Sequence, residues 1–471
     1  MNKCILTILA LSATFLISGC INLEPDIPLA QPSIATDWPL PQLTAPPVST
    51  DSSSDRAAAD IGWRDFFVDP KLGALIAQAL DNNRDLRVAV LNIEKARAQY
   101  RIARSDLVPA VDLRAGSIST GGYSPTTISG YNADINVGFE LDLFGRIRNL
   151  SESALQAYFA TEQARRSAQL ALIAEVAQAY LTLSADQELL KIARDTLKSQ
   201  TASYRLTEQR FSLGAVSALD VSQARTLVES ARVDAARYSG QIARDNNALT
   251  LLVGAVIDAS LLPDTFAPKL SGLQPLPSGL PSDVLLRRPD ILQSENQLRA
   301  ANASIGAARA AFFPSISLTA GAGTSSTQLS GLFTGGSFGW TFLPTVSVPI
   351  FQGGRLRALL GMATADRDIA LAQYEKAIQS GFREVADALA LSQTLAEQLI
   401  AQQALLDAAN SAHTLSEARY KSGRDSYLYL LDAQRTLYSA QTAMVTTELA
   451  TQANRVILYK VLGGGWHEST Q

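Results

Sequence analysis

The stretch LVPAVDL at residues 107–113 returns 205 positions later as FFPSISL at residues 312–318. Three more pairs follow in the same order: LFGR at 143–146 with IFQGGR at 350–355, RFSLG at 210–214 with RYKSG at 419–423, and VG at 253–254 with LG at 462–463. Ordered self-similarity at a near-constant spacing indicates duplication. The chain therefore predicts two similar halves, each with a helix, two strands, a very long helix and another helix.

Residues 132–143 alternate between polar and apolar side chains, and three other stretches alternate in the same way. Period two gives a strand one apolar face and one polar face. The predicted strands are ~110–119, ~132–144, ~315–324 and ~338–351, with Pro344 and Pro349 at kinks or beyond the ladder. Soluble sandwiches share this alternation, but four strands of about ten residues in an exported chain fit an outer-membrane barrel better.

Four strands cannot close a barrel, and lipid does not tolerate an open sheet edge. We therefore expect a barrel shared between chains. Two copies would give eight strands and a filled interior, whereas three would give twelve strands and a lumen.

Residues 147–213 contain no Gly or Pro and are rich in strong helix formers, and residues 355–422 are similar except for Gly361 and Gly381. We predict two long helices that end at Gly214 and Gly423. Shorter helices are predicted at 83–108, 218–254, 289–313 and 427–462. At ~1.5 Å per residue a long helix spans ~100 Å, about the length of the two shorter helices of its half placed end to end.

The N-terminus has the pattern of an export signal. Lys3 precedes an apolar run of 13 residues, Ile5 to Ile17, which is too short to span a bilayer. The run ends in LISGC at residues 16–20, which resembles a bacterial lipoprotein signal, and residue 21 is not the Asp that retains lipoproteins at the inner membrane. We expect cleavage before Cys20 and lipid attachment to it. An ordinary signal peptide with an incidental cysteine is the alternative.

Proline placement helps to set the boundaries of the predicted segments, because seven of the 19 prolines lie between Pro25 and Pro47. The predicted segments are a signal peptide at 1–19, a lipidated extended tether at 20–60, a first repeat at 61–262, a connector at 263–288, a second repeat at 289–465 and a tail at 466–471.

Composition excludes several functions. The net charge is −4, so no basic nucleic-acid footprint exists. The only histidines, His413 and His467, are far apart, and no His/Cys cluster, phosphate loop or nucleophile elbow is visible. We therefore predict no metal, no cofactor and no enzymatic activity. Arg287-Arg288-Pro289-Asp290 could pass for a binding site, but Pro at a first helical position beside Asp favours a structural helix start.

Four motifs resemble the outer membrane factor family typified by TolC and OprM, in particular the NodT-type efflux lipoproteins. They are LRRPDI at 286–291, AFFPSISL at 311–318, PIFQGGR at 349–355 and LYKVLGGGW at 458–466, and the resemblance spans Trp63 to Trp466. It implies a mixed α and β membrane protein: a trimer whose twelve-stranded β-barrel, four strands per chain, lies in the Gram-negative outer membrane and continues into a long periplasmic α-helical barrel. The implied partners are a periplasmic adaptor (membrane fusion protein) and an inner-membrane pump of the RND type.

The hairpin turns between long and short helices are candidate adaptor-docking tips. They comprise Leu213, Gly214 and Ala215 in the first half and Ser422, Gly423 and Arg424 in the second. The transported substrate is not readable from the sequence. A lipid-anchored coiled-coil scaffold or adhesin without a pore is the alternative to an export duct, and the four alternating strands favour the duct.

Asp432 and Arg435 lie three positions apart, where sequence alone favours an intrahelical pair worth about a few tenths of a kcal/mol. The family resemblance places the matching residues at the periplasmic constriction and implies a gate role. Asp220 occupies the corresponding region of the first half. An apolar ring at Leu428 and Leu431 is the alternative constriction.

Overall fold

The computed structural model describes residues 22–27, 38, 60–120, 128–264, 266, 285 and 287–468. The predicted signal peptide, Cys20, and most of the predicted tether and connector lie outside these residues.

Both halves contain a helix, two strands, a long helix and a further helix in the same order. The helices are α1 Trp63–Phe66, α2 Pro70–Asn82, α3 Arg84–Ser105, α4 Arg146–Ser212, α5 Ala218–Val253, α6 Pro289–Ala310, α7 Arg355–Lys421 and α8 Tyr427–Val461. The strands are β1 Ala110–Thr120, β2 Ile128–Leu141, β3 Ser315–Ser326 and β4 Phe338–Ser347.

The two long helices, α4 and α7, have 67 residues each. Gly361 and Gly381 do not interrupt α7. A Cβ at position 381 would lie 3.3 Å from Ile291 Cδ1 and 3.5 Å from the Arg288 guanidinium, so this glycine permits close packing against the start of α6.

The four strands form one antiparallel sheet in the order β1-β2-β3-β4. Directly paired residues share a face, and the register aligns Leu113, Ile135, Ala322 and Trp340 in one apolar row. Within the described chain, β1 and β4 each have a neighbour on one side only, so the sheet has two free edges.

Three strand limits differ from the prediction by three residues or more, and one of them is the start of β2, at Ile128 rather than ~132. β4 ends at Ser347, because Pro349 cannot donate a ladder hydrogen bond. Pro344 does lie within β4, opposite Leu318, and an edge strand can accommodate its missing N–H. β2 ends at Leu141, because the Asp142 carboxylate instead accepts from Ile147 N at 3.1 Å and Arg148 N at 2.8 Å at the start of α4.

The chain divides into two compact units. One comprises Met1–Pro32, Leu91–Gln163 and Leu292–Ala377 and contains the sheet; the other comprises Ser33–Val90, Ala164–Ile291 and Ile378–Gln471 and is helical where described. The core of the helical unit includes Trp63, Phe66 and Tyr180, and the ring of Phe66 stacks on Tyr459 with 3.5 Å between centroids.

Helices α1 and α2 were not predicted. The Asp69 side chain caps α2 by accepting from Lys71 N at 2.8 Å, and Pro70 is its first residue. The Asp-Pro pair was therefore the sequence signal for this helix. Asn83 was predicted as helical, but its side chain caps α3 by accepting from Leu86 N at 2.9 Å.

Arg288 in the RRPD stretch has a structural role. Its side chain is buried, and it donates to Asp290 at 2.7 Å, Glu384 at 2.7 Å and the Val461 carbonyl at 3.0 Å. It therefore ties the start of α6 to α7 and α8, and Pro289 is the first residue of α6, as predicted.

Candidate functional site

The apolar face of the sheet is exposed in the single chain. Leu113 is 77% exposed and Trp340 73% exposed, in the same row of the register. A soluble sheet would bury such a row, whereas a membrane strand presents it to lipid.

The opposite face is polar and tightly organised. Asp134 accepts a hydrogen bond from the Asn132 amide at 2.6 Å and another from Asn136. These side chains lie over glycines, since a Cβ at Gly321 would approach Asn136 Oδ1 to 2.8 Å. The two faces therefore match the polar-in, apolar-out pattern of a water-filled barrel.

The first hairpin turn joins α4 to α5. Gly214 has a φ of +72°, and the Gly214 and Ala215 amides donate to the carbonyls of Phe211 and Arg210, both at 2.9 Å. This is a Schellman ending, which satisfies the last helical carbonyls. Ser217 then caps α5, because its hydroxyl accepts from Asp220 N at 3.2 Å and the Asp220 carboxylate accepts from Ser217 N at 2.9 Å.

The second hairpin turn joins α7 to α8 with the same backbone. Gly423 also has a φ of +72°, and the Gly423 and Arg424 amides donate to Tyr420 and Arg419, both at 3.0 Å. The side chains differ, because Arg419 donates two hydrogen bonds to Asp425, at 2.5 and 2.8 Å. These bonds lower the pKa of the Asp425 carboxyl. Ser426 starts α8 without a side-chain cap.

An aromatic cluster packs behind these turns. Tyr420, Tyr427, Leu430 and Leu431 are buried against Ala224 of α5. Burial, followed by the proximity of Tyr420 and Asp220, raises the pKa of Tyr427 to about 12. Neither phenol oxygen, of Tyr420 or Tyr427, has a hydrogen-bond partner in the described chain. Sequence patterning gave no sign that Tyr420 belongs to this cluster.

The predicted gate residues do not come together within one chain. Asp220 belongs to the capping box. Asp432 and Arg435 are exposed and form no ion pair among the described residues, so the intrahelical pair favoured by their spacing is absent. Of the alternative apolar ring, Leu431 is buried and Leu428 is exposed.

Residues shortly after Cys20 contact α6. The Asn302 amide, fully buried, donates to Glu24 Oε1 at 3.0 Å and to the Pro25 carbonyl at 2.7 Å. Arg309 donates to the Leu23 carbonyl at 3.2 Å. The chain emerging from the predicted lipidation site is therefore fixed along this helix. Sequence patterning did not reveal these contacts, because they join residues far apart in the chain.

None of the helices in the described part of the chain is both long and apolar enough to cross a membrane. The same residues contain no group of three His, Cys, Asp or Glu side chains suited to a metal ion.

The chain matches the family model of outer membrane efflux proteins over residues 75–255 and 280–464. It is 49% identical over 473 residues to the probable efflux pump outer membrane protein TtgC of Pseudomonas putida, covering 98% of this chain and 96% of TtgC. It is 41% identical to the probable outer membrane lipoprotein SilC of Salmonella typhimurium, covering 98% and 99% of the two chains. The solved open state of the Neisseria gonorrhoeae MtrE outer membrane channel matches with a TM-score of 0.86 and 38% identity, covering 96% of this chain and 100% of that one.

An exposed apolar sheet face, together with two long helical hairpins, defines a subunit of a membrane channel. The chain belongs to the outer membrane efflux protein family, and its fold class is the one predicted from the sequence. It is accordingly an outer-membrane component of an efflux system.

Proposed function

We propose that three copies of this chain close a twelve-stranded barrel and form the passive exit duct of a tripartite efflux system. The observation that supports this proposal is the four-stranded sheet, which has an exposed apolar face and two free edges. Free edges carry unpaired backbone groups, which lipid does not tolerate, so the edges of neighbouring chains must pair. The duct is not an enzyme, and the pump sets the choice of substrate.

Mass measurement in detergent, followed by conductance in a planar bilayer, tests this proposal. We expect a mass of three chains and stepwise channel conductance. A folded, stable monomer would contradict the shared barrel. A trimer without conductance would support a scaffold instead.

The proposed partners are a periplasmic adaptor and an inner-membrane pump of the RND type. The adaptor docks on the two tips, Leu213-Gly214-Ala215 and Ser422-Gly423-Arg424. The tips suit docking because all six residues are exposed and their backbone is fixed by Schellman hydrogen bonds.

Replacing Gly214 and Gly423 together by Trp tests the docking role. A Cβ at either glycine meets nothing within 4 Å, so the bulk would project outward rather than into the core. We expect efflux to fall while the trimer level stays normal. Gly240→Trp is the matched control, because position 240 is also exposed and open but lies within α5. Normal efflux in the double variant would reject the docking role.

The proposed gate consists of Asp220, Asp432 and Arg435. Three-fold symmetry would repeat each charge around the duct, and Arg435 could then bond an acid on an adjacent helix. Charge-assisted hydrogen bonds in a partly desolvated ring are stronger than surface pairs. Adaptor and pump binding would favour the open state through their differential affinity for it.

Asp220→Ala combined with Asp432→Ala should raise single-channel conductance and the sensitivity of cells to large antibiotics. Asp220 also caps α5, so the matched variant is Asp220→Asn with Asp432→Asn, in which the amide oxygen can still accept at the cap. A higher conductance in both double variants supports the charge ring. A higher conductance in the alanine double variant alone would assign the effect to the cap. Wild-type conductance in both double variants would place the constriction elsewhere.

Cys20 is the proposed lipidation site. Labelled fatty acid should enter the wild-type protein and not Cys20→Ser. Equal labelling of both would reject the assignment. The barrel can insert without the lipid, so efflux by the variant does not bear on this test.

A further inference from the structure

The four junctions between strands and helices carry a concentration of arginine. They consist of the last five residues of α3 and α6 and the first three of α4 and α7, all in the unit that contains the sheet. Every charged residue in these stretches is an arginine: Arg101, Arg104, Arg146, Arg148, Arg309, Arg355 and Arg357. The chain as a whole has a net charge of −4, so this density is local.

In the first half the two arginines that begin α4 have acidic partners. Arg146 donates two hydrogen bonds to Glu140, at 3.0 and 2.7 Å, and Arg148 pairs with Asp142 at 3.3 Å. Their charges are therefore largely neutralised within the chain.

In the second half the equivalent arginines have no such partners. Residues 347–358 contain no acid. Among the described residues, the Arg355 side chain donates only to the neutral side chain of Gln352, from Nε at 3.0 Å and also from Nη2, and the exposed Arg357 forms no ion pair. Cations in the first turn of a helix also oppose its macrodipole. Helix stability therefore does not account for Arg355 and Arg357.

Exposed apolar side chains adjoin these arginines. Ile350 is 95% exposed and Phe351 is 88% exposed, immediately before the start of α7. They lie just beyond β4, whose exposed apolar residues include Trp340. An apolar face that gives way to arginine within one helical turn is typical of a membrane–water boundary, where the long side chain reaches the headgroups.

The N-terminal contacts point to the same boundary. Arg309 holds the Leu23 carbonyl, and Leu23 is three residues from Cys20. Three residues span at most about 11 Å. A lipid attached to Cys20 would therefore enter the bilayer close to this arginine.

We propose that the junction arginines and their apolar neighbours form a belt that binds the phosphate groups of anionic phospholipids in the periplasmic leaflet, with Arg355 and Arg357 as its principal ligands. The belt rests on the proposed function, because it requires the sheet to lie in the outer membrane. An arginine fork matches phosphate oxygens in geometry, and an anionic leaflet attracts cations at its surface.

The duplicated halves supply a matched test. Detergent-solubilised protein is titrated with phosphatidylglycerol or, as the neutral probe, phosphatidylcholine, and bound lipid is counted by native mass spectrometry. We expect wild type to prefer phosphatidylglycerol and Arg355→Gln with Arg357→Gln to lose about tenfold or more of that preference. Arg146→Gln and Arg148→Gln, combined with Glu140→Gln and Asp142→Asn, should lose far less, because this variant removes two neutral ion pairs and leaves the local net charge unchanged. Arg355→Lys with Arg357→Lys should retain more of it than the glutamine variant, because lysine keeps the charge and loses only the fork geometry.

An unchanged preference in the Arg355→Gln, Arg357→Gln variant would overturn the proposal, as would an equal loss in the variant that removes the two ion pairs. Displacement of the lipid by an equal concentration of inorganic phosphate would assign the site to free anions instead. Bilayer conductance of the same variants reports the channel separately, so loss of lipid preference with normal conductance separates this inference from the proposed function.

Discussion

The two hairpin turns share a backbone and differ in the side chains that stabilise it. Gly214 and Gly423 have the same φ of +72° and head the same pair of Schellman hydrogen bonds. The first turn is followed by a capping box of Ser217 and Asp220, whereas Arg419 and Asp425 bridge the second with an ion pair. Duplication has thus kept the backbone geometry while the stabilising chemistry has diverged.

The strand–helix junctions show the same divergence. Arginines begin both α4 and α7, but among the described residues only those of α4 have acidic partners. Equivalent backbone positions therefore need not carry equivalent functions, and each half can serve as the control for the other.

The largest effect is expected at a third glycine with the same backbone. Gly254 ends α5 at a φ of +72°, but there a Cβ would lie 2.5 Å from the Asn82 carbonyl oxygen. Gly254→Ala should cost about 2–4 kcal/mol, from backbone strain plus overpacking. Gly214→Ala and Gly423→Ala should cost only about 1–2 kcal/mol each, because nothing crowds them. Hydrogen exchange at the adjoining helix ends measures the local stability of the three variants. Equal losses of stability in all three would contradict the role of Asn82.

Much of this fold could be predicted from the sequence, because the deciding signals are local and repeated. Period-two alternation and two tracts poor in Gly and Pro predict the strands and the long helices without any knowledge of contacts. α2 was missed although Asp69 and Pro70 signalled it. The predicted end of β4, at residue ~351, lies beyond the observed end at Ser347, because apolar alternation continues through Ile350 after the last ladder hydrogen bond.

The sites were less predictable, because they depend on which distant side chains meet. The sequence identified the tip glycines from their place after a long helix. It could not show that Asp425 pairs with Arg419, that Asn302 holds Glu24, or that Asp432 and Arg435 leave each other unpaired. The gate assignment rests on contacts between chains and stays a prediction.

An intermediate effect is expected at the two helix starts after the turns. Ser217→Ala removes a cap that satisfies the Asp220 amide, so it should destabilise the start of α5 by about 1 kcal/mol. Ser426→Ala should change little, because the Ser426 side chain makes no cap hydrogen bond. Hydrogen exchange in the first turns of α5 and α8 gives the comparison. Similar losses at both helices would mean that the two starts are stabilised alike.

The smallest effect is expected from the ion pair of the second turn. Hydrogen bonds from Arg419 lower the pKa of the Asp425 carboxyl below its ordinary value of 3.8, so the folded turn favours the charged carboxylate. The stabilisation is therefore present above pH 3.8 and is lost as the pH falls through the lowered pKa. Arg419 is exposed and Asp425 is partly exposed, so solvent and salt screen the pair.

At pH 7, Asp425→Asn should make the Gly423 and Arg424 amides exchange slightly faster than in wild type. The difference should shrink as the pH is lowered, because wild type then loses the same charge, and it should also shrink in about 1 M salt, where the Debye length is only ~3 Å. The Gly214 and Ala215 amides are the internal control, since no ion pair bridges the first turn. A difference that persists in acid and in high salt would mean that Asp425 acts through the shape of its side chain rather than its charge, and the two turns would then be stabilised by more similar means than their residues indicate.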